Sequence, residues 1–128
     1  MRKIVFLTVV ISLFISCNKS EGLGGTSSII GKVTIENYNG AGVLLATYPA
    51  EDEKVFIIYG NDNTTYSDKT TTSYDGSYRF DNLSEGMYKI FSYSDCNTCD
   101  SGQEAVIVTV EINDKGQVVS ANEIVVKR

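Results

Sequence analysis

The sequence predicts an all-β fold, an antiparallel sandwich of about seven short strands, and three observations support this prediction. From Ile29 onward, apolar and polar residues alternate in short runs, as strands with one buried face do. Turn signals separate the runs: Asn39-Gly40, Asp75-Gly76, Glu85-Gly86 and Lys115-Gly116. No window of about eleven or more residues carries an apolar stripe of helical period. About seven short strands in about 100 residues, without helices between them, are typical of a β-sandwich.

The individual strands follow from this alternation. Ile29, Gly31, Val33 and Ile35 share one face of the first strand. Residues 55–59 are apolar on both faces, which predicts a central strand. Further strands are predicted at residues 78–80, 88–90, 106–112 and 124–126. Residues 39–53 allow two interpretations, an extra edge strand or a loop packed on the sandwich, and Pro49 argues against a central strand.

The first sixteen of the 128 residues have the layout of a secretory signal peptide. Arg2 and Lys3 are positive, residues 4–15 are uncharged and mostly apolar, and the small Ser16 precedes Cys17. The uncharged run is shorter than the roughly 20 residues that a transmembrane helix needs. Cleavage after residue 16 removes two positive charges, so the net charge changes from −5 to −7.

Residues 13–17, Leu-Phe-Ile-Ser-Cys, resemble the lipobox of bacterial lipoproteins. The resemblance implies that Cys17 carries acyl chains such as palmitate and becomes the first residue, although Phe14 occupies a position where Leu is usual. Asn18, rather than Asp, looks like the sorting signal for the outer membrane. Several acyl chains anchor a protein stably where one does not. The implied membrane partner is therefore contacted through the acyl chains, because an acidic domain is repelled by anionic head groups. Either side of that membrane is compatible with these residues.

Residues 18–28 are rich in Gly and Ser and predict a flexible tether. Such a tether of eleven residues would reach about 17–20 Å root-mean-square. The predicted organisation is a signal peptide at 1–16, the lipidated Cys and tether at 17–28, and a β-sandwich at 29–128.

Residues 75–90 resemble the signature of carboxypeptidase-regulatory-like domains, a D-G turn followed by Y-x-F-x-x-L-x-x-G-x-Y-x-I. The matching residues are Asp75, Gly76, Tyr78, Phe80, Leu83, Gly86, Tyr88 and Ile90, and Ile29, Gly31 and Val33 match the opening I-x-G-x-V. The resemblance implies a seven-stranded Greek-key sandwich of the prealbumin (transthyretin) type. In that fold Tyr78, Phe80, Tyr88 and Ile90 face inward, Leu83 fills a corner, and Gly86 takes a backbone angle that other residues avoid. The pattern specifies a fold and leaves the function open.

Composition argues against several activities. The chain has no His, which removes Ser-His-Asp and Cys-His nucleophiles and His-ligated metals. The related hydroxyisourate hydrolases depend on histidines and a C-terminal Y-R-G-S, whereas this chain ends in Ile-Val-Val-Lys-Arg. The negative net charge disfavours nucleic acid as a partner. We therefore expect no enzyme, no catalytic residue, no cofactor and no small-molecule substrate.

Cys96 and Cys99 form a C-x-x-C motif with three interpretations. An exported location favours a local disulfide, which would stabilise the fold by about 2 kcal/mol. A thiol-disulfide oxidoreductase would need the motif at the start of a helix. A zinc site would need four ligands, more than the two mature thiols of this chain offer.

The remaining candidates lie in turns. Asp62 and Asp68 are the first calcium ligands to consider, although the acids lack EF-hand spacing and a solvated acidic surface is the default. Tyr66 and Tyr74 are candidate binding residues, because exposed tyrosines anchor interfaces. The chain has no Trp to stack on sugars, so an envelope protein is the expected partner. The expected function is a non-enzymatic, envelope-anchored binding module; a thiol-disulfide oxidoreductase or a calcium-dependent adhesion or glycan-binding module are the alternatives.

Overall fold

The computed structural model describes residues 21–60 and 65–128. Within these residues the chain forms strands and no helix. The strands are β1 (Leu23–Tyr38), β2 (Leu44–Pro49), β3 (Lys54–Tyr59), β4 (Asp68–Thr71), β5 (Ser77–Leu83), β6 (Gly86–Asp95), β7 (Gln103–Ile112), β8 (Val118–Ser120) and β9 (Ile124–Lys127). Accordingly, the described part of the chain offers no helix of the length and apolarity that a membrane crossing requires.

The strands form two sheets. In the five-stranded sheet, β1 pairs antiparallel with β2 and β5 and parallel with β8 and β9. The four-stranded sheet has the order β4-β3-β6-β7, and all its pairs are antiparallel. The all-β prediction is therefore confirmed. The parallel pairs depart from a purely antiparallel sandwich because the chain, after β7, returns to the first sheet and runs alongside β1 in the same direction.

The described chain forms nine strands rather than the predicted seven. Residues 39–53 include the edge strand β2, so the edge-strand interpretation of this stretch is confirmed. β4 (Asp-Lys-Thr-Thr) and β8 (Val-Val-Ser) were not predicted, since they are short and lack a run of alternating apolar residues. β3 lies between β4 and β6, as its two apolar faces predicted.

The predicted tether differs from the structure over its second half, because β1 begins at Leu23 rather than at Ile29. The glycines here permit close backbone approach: a Cβ at Gly25 would lie 2.0 Å from the Leu83 carbonyl oxygen. A Gly-rich composition therefore marks a contact between strands at this point, not a free linker. The predicted signal peptide, the Cys17 anchor and Asn18 lie outside the described residues.

The core lies between the sheets and contains the residues that the family signature placed inward. Tyr78, Phe80, Tyr88 and Ile90 are buried, and Leu83 is buried at the β5–β6 corner. Gly86 has φ of 139°, a conformation that favours glycine. The core prediction is confirmed for these residues.

We call the two ends of the sandwich the N-terminal end and the cystine end. The N-terminal end contains Glu21 and Gly22, the Ser84–Glu85 turn and the loop at Lys115. The cystine end contains the β1–β2 turn, the Cys96–Cys99 loop and Arg128. β6 runs from the first end to the second over ten residues, a distance of about 30 Å at strand rise.

Candidate binding surface

The outer face of the four-stranded sheet carries a cluster of aromatic side chains. Phe56 and Phe91 pair across β3 and β6, and their rings stack with centroids 5.1 Å apart. Tyr66, from the segment before β4, lies 4.9 Å from Phe56, and Tyr93 lies 5.6 Å from both phenylalanine rings. Strand alternation explains the arrangement, since Val55 and Ile57 on either side of Phe56 point into the core.

The two phenylalanines form a buried base beneath two partly exposed tyrosines. Phe56 and Phe91 are 9% and 7% exposed, whereas Tyr66 and Tyr93 are 41% and 42% exposed. Ile107, which pairs with Phe91 in β7, is 54% exposed. We call Phe56, Tyr66, Phe91, Tyr93 and Ile107 together the aromatic face. Half-exposed rings fixed by neighbouring rings offer apolar area without a large loss of side-chain entropy on binding.

Three lysines surround the aromatic face on the same side of the sheet. Lys69 pairs directly with Phe56, Lys89 pairs with Ile58, and Lys54 lies two residues before Phe56. Among the described strand residues, Asp95 and Glu111 share this side, at positions toward its ends. Lys54 and Lys69 beside the aromatic face would attract acidic groups on a partner.

The cystine end contains an open cleft of about 550 Å³, lined by residues that include Tyr38, Cys96 and Arg128. The Arg128 guanidinium contacts the Glu53 carboxylate, and Lys127 Nζ lies 5.7 Å from the Tyr38 ring centroid. A hydrogen bond to Glu36 raises the pKa of Tyr38. The charges of Arg128 and Lys127 in this cleft are therefore held by contacts within the fold.

Cys96 and Cys99 lie at disulfide distance in the β6–β7 loop, with their Cα atoms 5.4 Å apart. The Cys96 N–H donates to the Gly102 oxygen (2.9 Å), and the Gly102 N–H donates to the Cys99 oxygen (3.0 Å). The motif therefore lies in a tight turn between strands, without the helix N-terminus that lowers thiol pKa values in oxidoreductases. Glu104 lies within 4.8 Å of both sulfurs, but sulfurs bonded to each other are not thiolate ligands.

A groove of about 690 Å³ adjoins β1 and β5 on the other sheet. Arg79 lines it, and Arg79 Nε donates to Asp81 Oδ1 at 2.5 Å. The Ser28 hydroxyl also donates to this carboxylate (2.7 Å). The hydrogen bond from Ser28 is the largest cause of a lowered pKa of Asp81, and the bond from Arg79 lowers this pKa further. Tyr78 lies beneath the groove, and its hydroxyl is buried with no hydrogen-bond partner among the described residues. Burial raises the pKa of Tyr78 to about 12.

The two tyrosines that the sequence analysis named as candidate binding residues lie on different surfaces of the structure. Tyr66 belongs to the aromatic face, whereas Tyr74 is 81% exposed in the β4–β5 turn. Asp68 begins β4 and accepts a hydrogen bond from the Lys69 N–H (2.8 Å). Asp62 lies outside the described residues.

Sequence reasoning did not select Phe56, Phe91 or Ile107. The available signal was the apolar character of residues 55–59 on both faces, which indicates that the outer side of β3 is apolar too. Alternation within one strand does not reveal which loop residue packs on it, so the contact with Tyr66 required the fold.

Comparison with known proteins supports the fold alone. The chain is similar to the crystal structure of a Pseudomonas aeruginosa protein described as a "putative carbohydrate binding protein", with 17% identity and a TM-score of 0.50 over 84% of this chain and 91% of that chain. A crystal structure of (S)-allantoin synthase aligns with 12% identity and a TM-score of 0.44 over 80% of this chain and 42% of that chain. No protein family matches the sequence, and no curated protein matches it.

Proposed function

We propose that this chain is a non-enzymatic binding module of the bacterial envelope, and that it binds an envelope protein through the aromatic face. The observation that carries the proposal is the set of two half-exposed tyrosines and an exposed isoleucine over a stacked Phe56–Phe91 pair. Rigid strands position this set, and aromatic anchors in such settings dominate binding energies. The similar Pseudomonas aeruginosa protein is described as a putative carbohydrate binding protein, and a non-enzymatic binding role is compatible with that description.

The proposed location is the outer membrane, with acyl chains on Cys17 as the anchor. The positive N-terminus, the apolar run and the lipobox-like residues 13–17 support this proposal. The proposed finer fold is the carboxypeptidase-regulatory-like, Greek-key sandwich. The inward placement of Tyr78, Phe80 and Tyr88, as the signature requires, supports it.

A protein partner fits the aromatic face better than a sugar because of Ile107. A sugar ring stacks on the flat face of an aromatic side chain, whereas an exposed isoleucine gains most from burial beneath apolar side chains. Lys54 and Lys69 beside the aromatic face would pair with acidic residues at the rim of such a partner. The proposed partner therefore presents an apolar centre with acidic residues around it.

Carbohydrate binding is the second candidate function. Tyr66 and Tyr93 are exposed enough to stack on a sugar, and the similar Pseudomonas aeruginosa protein is described as a putative carbohydrate binding protein. The two candidates differ in what Ile107 contributes: a protein interface would lose affinity on its truncation, whereas a sugar stacked on the tyrosines would not.

The test is capture of partners from detergent-solubilised envelopes, followed by affinity measurement with the isolated partner. Tyr93→Ala and Ile107→Ala should each weaken binding by about 2 kcal/mol, or roughly thirtyfold in Kd. Tyr74→Ala is the matched control, since it removes an exposed tyrosine from a different surface. Thermal unfolding of each variant shows that the sandwich remains folded.

Each alternative has its own outcome. Loss of affinity in Tyr74→Ala but not in Tyr93→Ala would move the site away from the aromatic face. Binding to a glycan panel that needs Tyr93 but not Ile107 would favour carbohydrate. Calcium-dependent capture would favour the adhesion interpretation. Insulin reduction that disappears in Cys96→Ser would replace the binding module with an oxidoreductase.

A further inference from the structure

We propose that two copies of this chain pair antiparallel through the free edge of β7, so that their four-stranded sheets join into one sheet of eight strands. β7 (Gln103–Ile112) pairs with β6 on one side and has no strand on the other among the described residues. This pairing depends neither on the proposed partner nor on an anchor at Cys17.

Alternate residues of β7 point their backbone groups away from the sandwich. The Cys96 N–H donates to the Gly102 oxygen (2.9 Å), and these two residues continue the register of the β6–β7 ladder. Because hydrogen-bonded pairs alternate along an antiparallel ladder, the even-numbered residues of β7 bond to β6 and the odd-numbered residues face outward. Ala105, Ile107 and Thr109 therefore have N–H and C=O groups at a free edge, without a backbone partner among the described residues.

A second hydrogen bond gives the same assignment. The Gly60 N–H donates to the Met87 oxygen (2.9 Å) in the register of the β3–β6 ladder. The odd-numbered residues of β6 therefore bond to β3, which leaves the even-numbered residues of β6 for β7.

The other sheet edges in the described part of the chain have features that disfavour pairing. β4, β8 and β9 have only three or four residues each, and β5 carries an arginine and an aspartate. In β2 the Ala50 N–H donates to the Val33 oxygen (3.0 Å), so Pro49 faces away from β1. Short length, charge and proline keep natural edge strands unpaired. β7 has ten residues, and residues 105–110 contain neither charge nor proline.

The apolar side chains of β7 are incompletely covered on both faces. Val106 and Val108 pack against the core from the inner side but stay only partly buried, whereas Val110 is 4% exposed. On the outer side Ile107 is 54% exposed. A strand added at this edge would bury apolar area on both faces of the sheet.

A second β7 is the strand that fits this edge. In the register that places Ile107 opposite Ile107 of the second copy, the other outer pairs are Ala105 with Thr109 and Gln103 with Glu111. The Gln103 amide can then donate to the Glu111 carboxylate of the second copy, and within the strand no acid lies opposite an acid. On the inner side two partly buried valines, one from each copy, lie opposite each other. Each chain has one β7, so the assembly closes as a two-fold dimer.

The dimer would also join the two aromatic faces. Phe91 pairs with Ile107, so a row of four side chains runs across the joined sheet, from one Phe91 through both Ile107 side chains to the other Phe91. The two Phe91 residues would be about 14 Å apart, which is three strand spacings. A two-fold axis perpendicular to the sheet leaves both aromatic faces on the same side.

The first test is the mass of the purified full chain, measured by sedimentation in a density-matched detergent. We expect a dimer for the wild type. Ala105→Pro removes an outward N–H and leaves the bonds to β6 intact, so it should raise the dissociation constant of the dimer at least about tenfold. Thr47→Pro is the matched control, because Thr47 faces outward in β2 as Pro49 does; it should leave the dimer unchanged. Thermal unfolding shows that each variant is folded.

The second test probes the register. Ile107→Cys should form a disulfide-linked dimer on mild oxidation, because hydrogen-bonded residues in an antiparallel pair have Cα atoms about 5.5 Å apart, within the range of a disulfide. Glu111→Cys should not, since Glu111 lies opposite Gln103 of the second copy. Equal crosslinking of both variants would overturn this register.

Two results would overturn the pairing itself. One is a wild-type chain that remains monomeric at every concentration measured, and the other is a dimer with the same affinity in Ala105→Pro as in the wild type. A monomeric wild type that loses a captured partner in Ala105→Pro but not in Thr47→Pro would assign the edge to a strand of another protein instead.

Discussion

At the scale of single residues, the hydroxyls of two buried tyrosines contribute differently to the stability of the fold. Tyr88 Oη accepts from the Gly22 N–H and donates to the Ser84 oxygen. The Tyr78 hydroxyl, in contrast, is buried beside Gly31 without a hydrogen-bond partner among the described residues. A buried polar group is favourable only when it is hydrogen-bonded. The same substitution should therefore have opposite effects at the two positions.

Tyr88→Phe should lower the free energy of unfolding by about 1–3 kcal/mol, because it leaves a buried N–H and a buried carbonyl without their partner. Tyr78→Phe should raise it by about 1 kcal/mol, because it removes an unpaired hydroxyl and keeps the ring. Urea unfolding of residues 17–128 with Cys17→Ser, which cannot carry the proposed acyl chains, measures both. Destabilisation of similar size in the two variants would contradict this account of the Tyr78 hydroxyl.

Alkaline pH provides a second test of Tyr78. Burial raises its pKa to about 12 in the folded protein, above the value of about 10 in an unfolded chain. The folded state thus holds this proton more tightly, so the contribution is complete below about pH 10 and is lost as the pH rises to about 12. Unfolding curves over this range should show a smaller loss of stability for Tyr78→Phe than for the wild type. Parallel curves would show that Tyr78 does not titrate in this way.

At the scale of single elements, the Cys96–Cys99 loop joins β6 to β7. Cys96 and Cys99 should resist alkylation until reduced in protein isolated from the envelope, since their sulfurs lie at disulfide distance. Cys96→Ser with Cys99→Ser should lower the free energy of unfolding by about 2 kcal/mol. Mass spectrometry after alkylation, with and without reductant, measures the first effect. Alkylation before reduction would be inconsistent with a disulfide.

Strands with a regular alternation were predictable, and those without it were not. β1 from Ile29 and β3 show strong period-two alternation or two apolar faces, and both were predicted in place; β6 was predicted only at residues 88–90 of its full length, Gly86–Asp95. The start of β1 was missed because Gly-Gly-Thr-Ser-Ser resembles a linker; its pairing with Leu83 depends on a distant strand. β4 was missed because its four residues are polar and show no apolar alternation; they form a strand by pairing with β3.

The candidate site was predictable only in part. Tyr66 was selected as an exposed aromatic residue, and it lies in the aromatic face. Phe56 and Phe91 have the composition of core residues, and only the register of β3 with β6 places them together on the outer side. Composition gives no information about which side of a sheet lacks a covering layer.

At the scale of the whole molecule, the proposed lipidation of Cys17 would determine where the domain acts. Mass spectrometry of the purified mature protein should find Cys17 as an acylated first residue, as the lipobox-like residues 13–17 predict. Cys17→Ala should accumulate as the uncleaved precursor and leave the outer-membrane fraction. An intact Met1 on the wild-type protein, or a different first residue without acyl mass, would end this prediction. Protease treatment of whole cells then distinguishes the periplasmic side from the cell surface.

β1 also determines how the molecule bears mechanical load. It is the central strand of its sheet, with β5 and β2 along one side and β8 and β9 along the other. A pull on Glu21 along the axis of β1 therefore loads the hydrogen bonds of both ladders in shear, so that many must break together. An edge strand pulled sideways would instead lose its bonds one after another. The proposed anchor at Cys17 would hold the module through this central strand, which would let it transmit force from the proposed partner to the membrane without unravelling from that end.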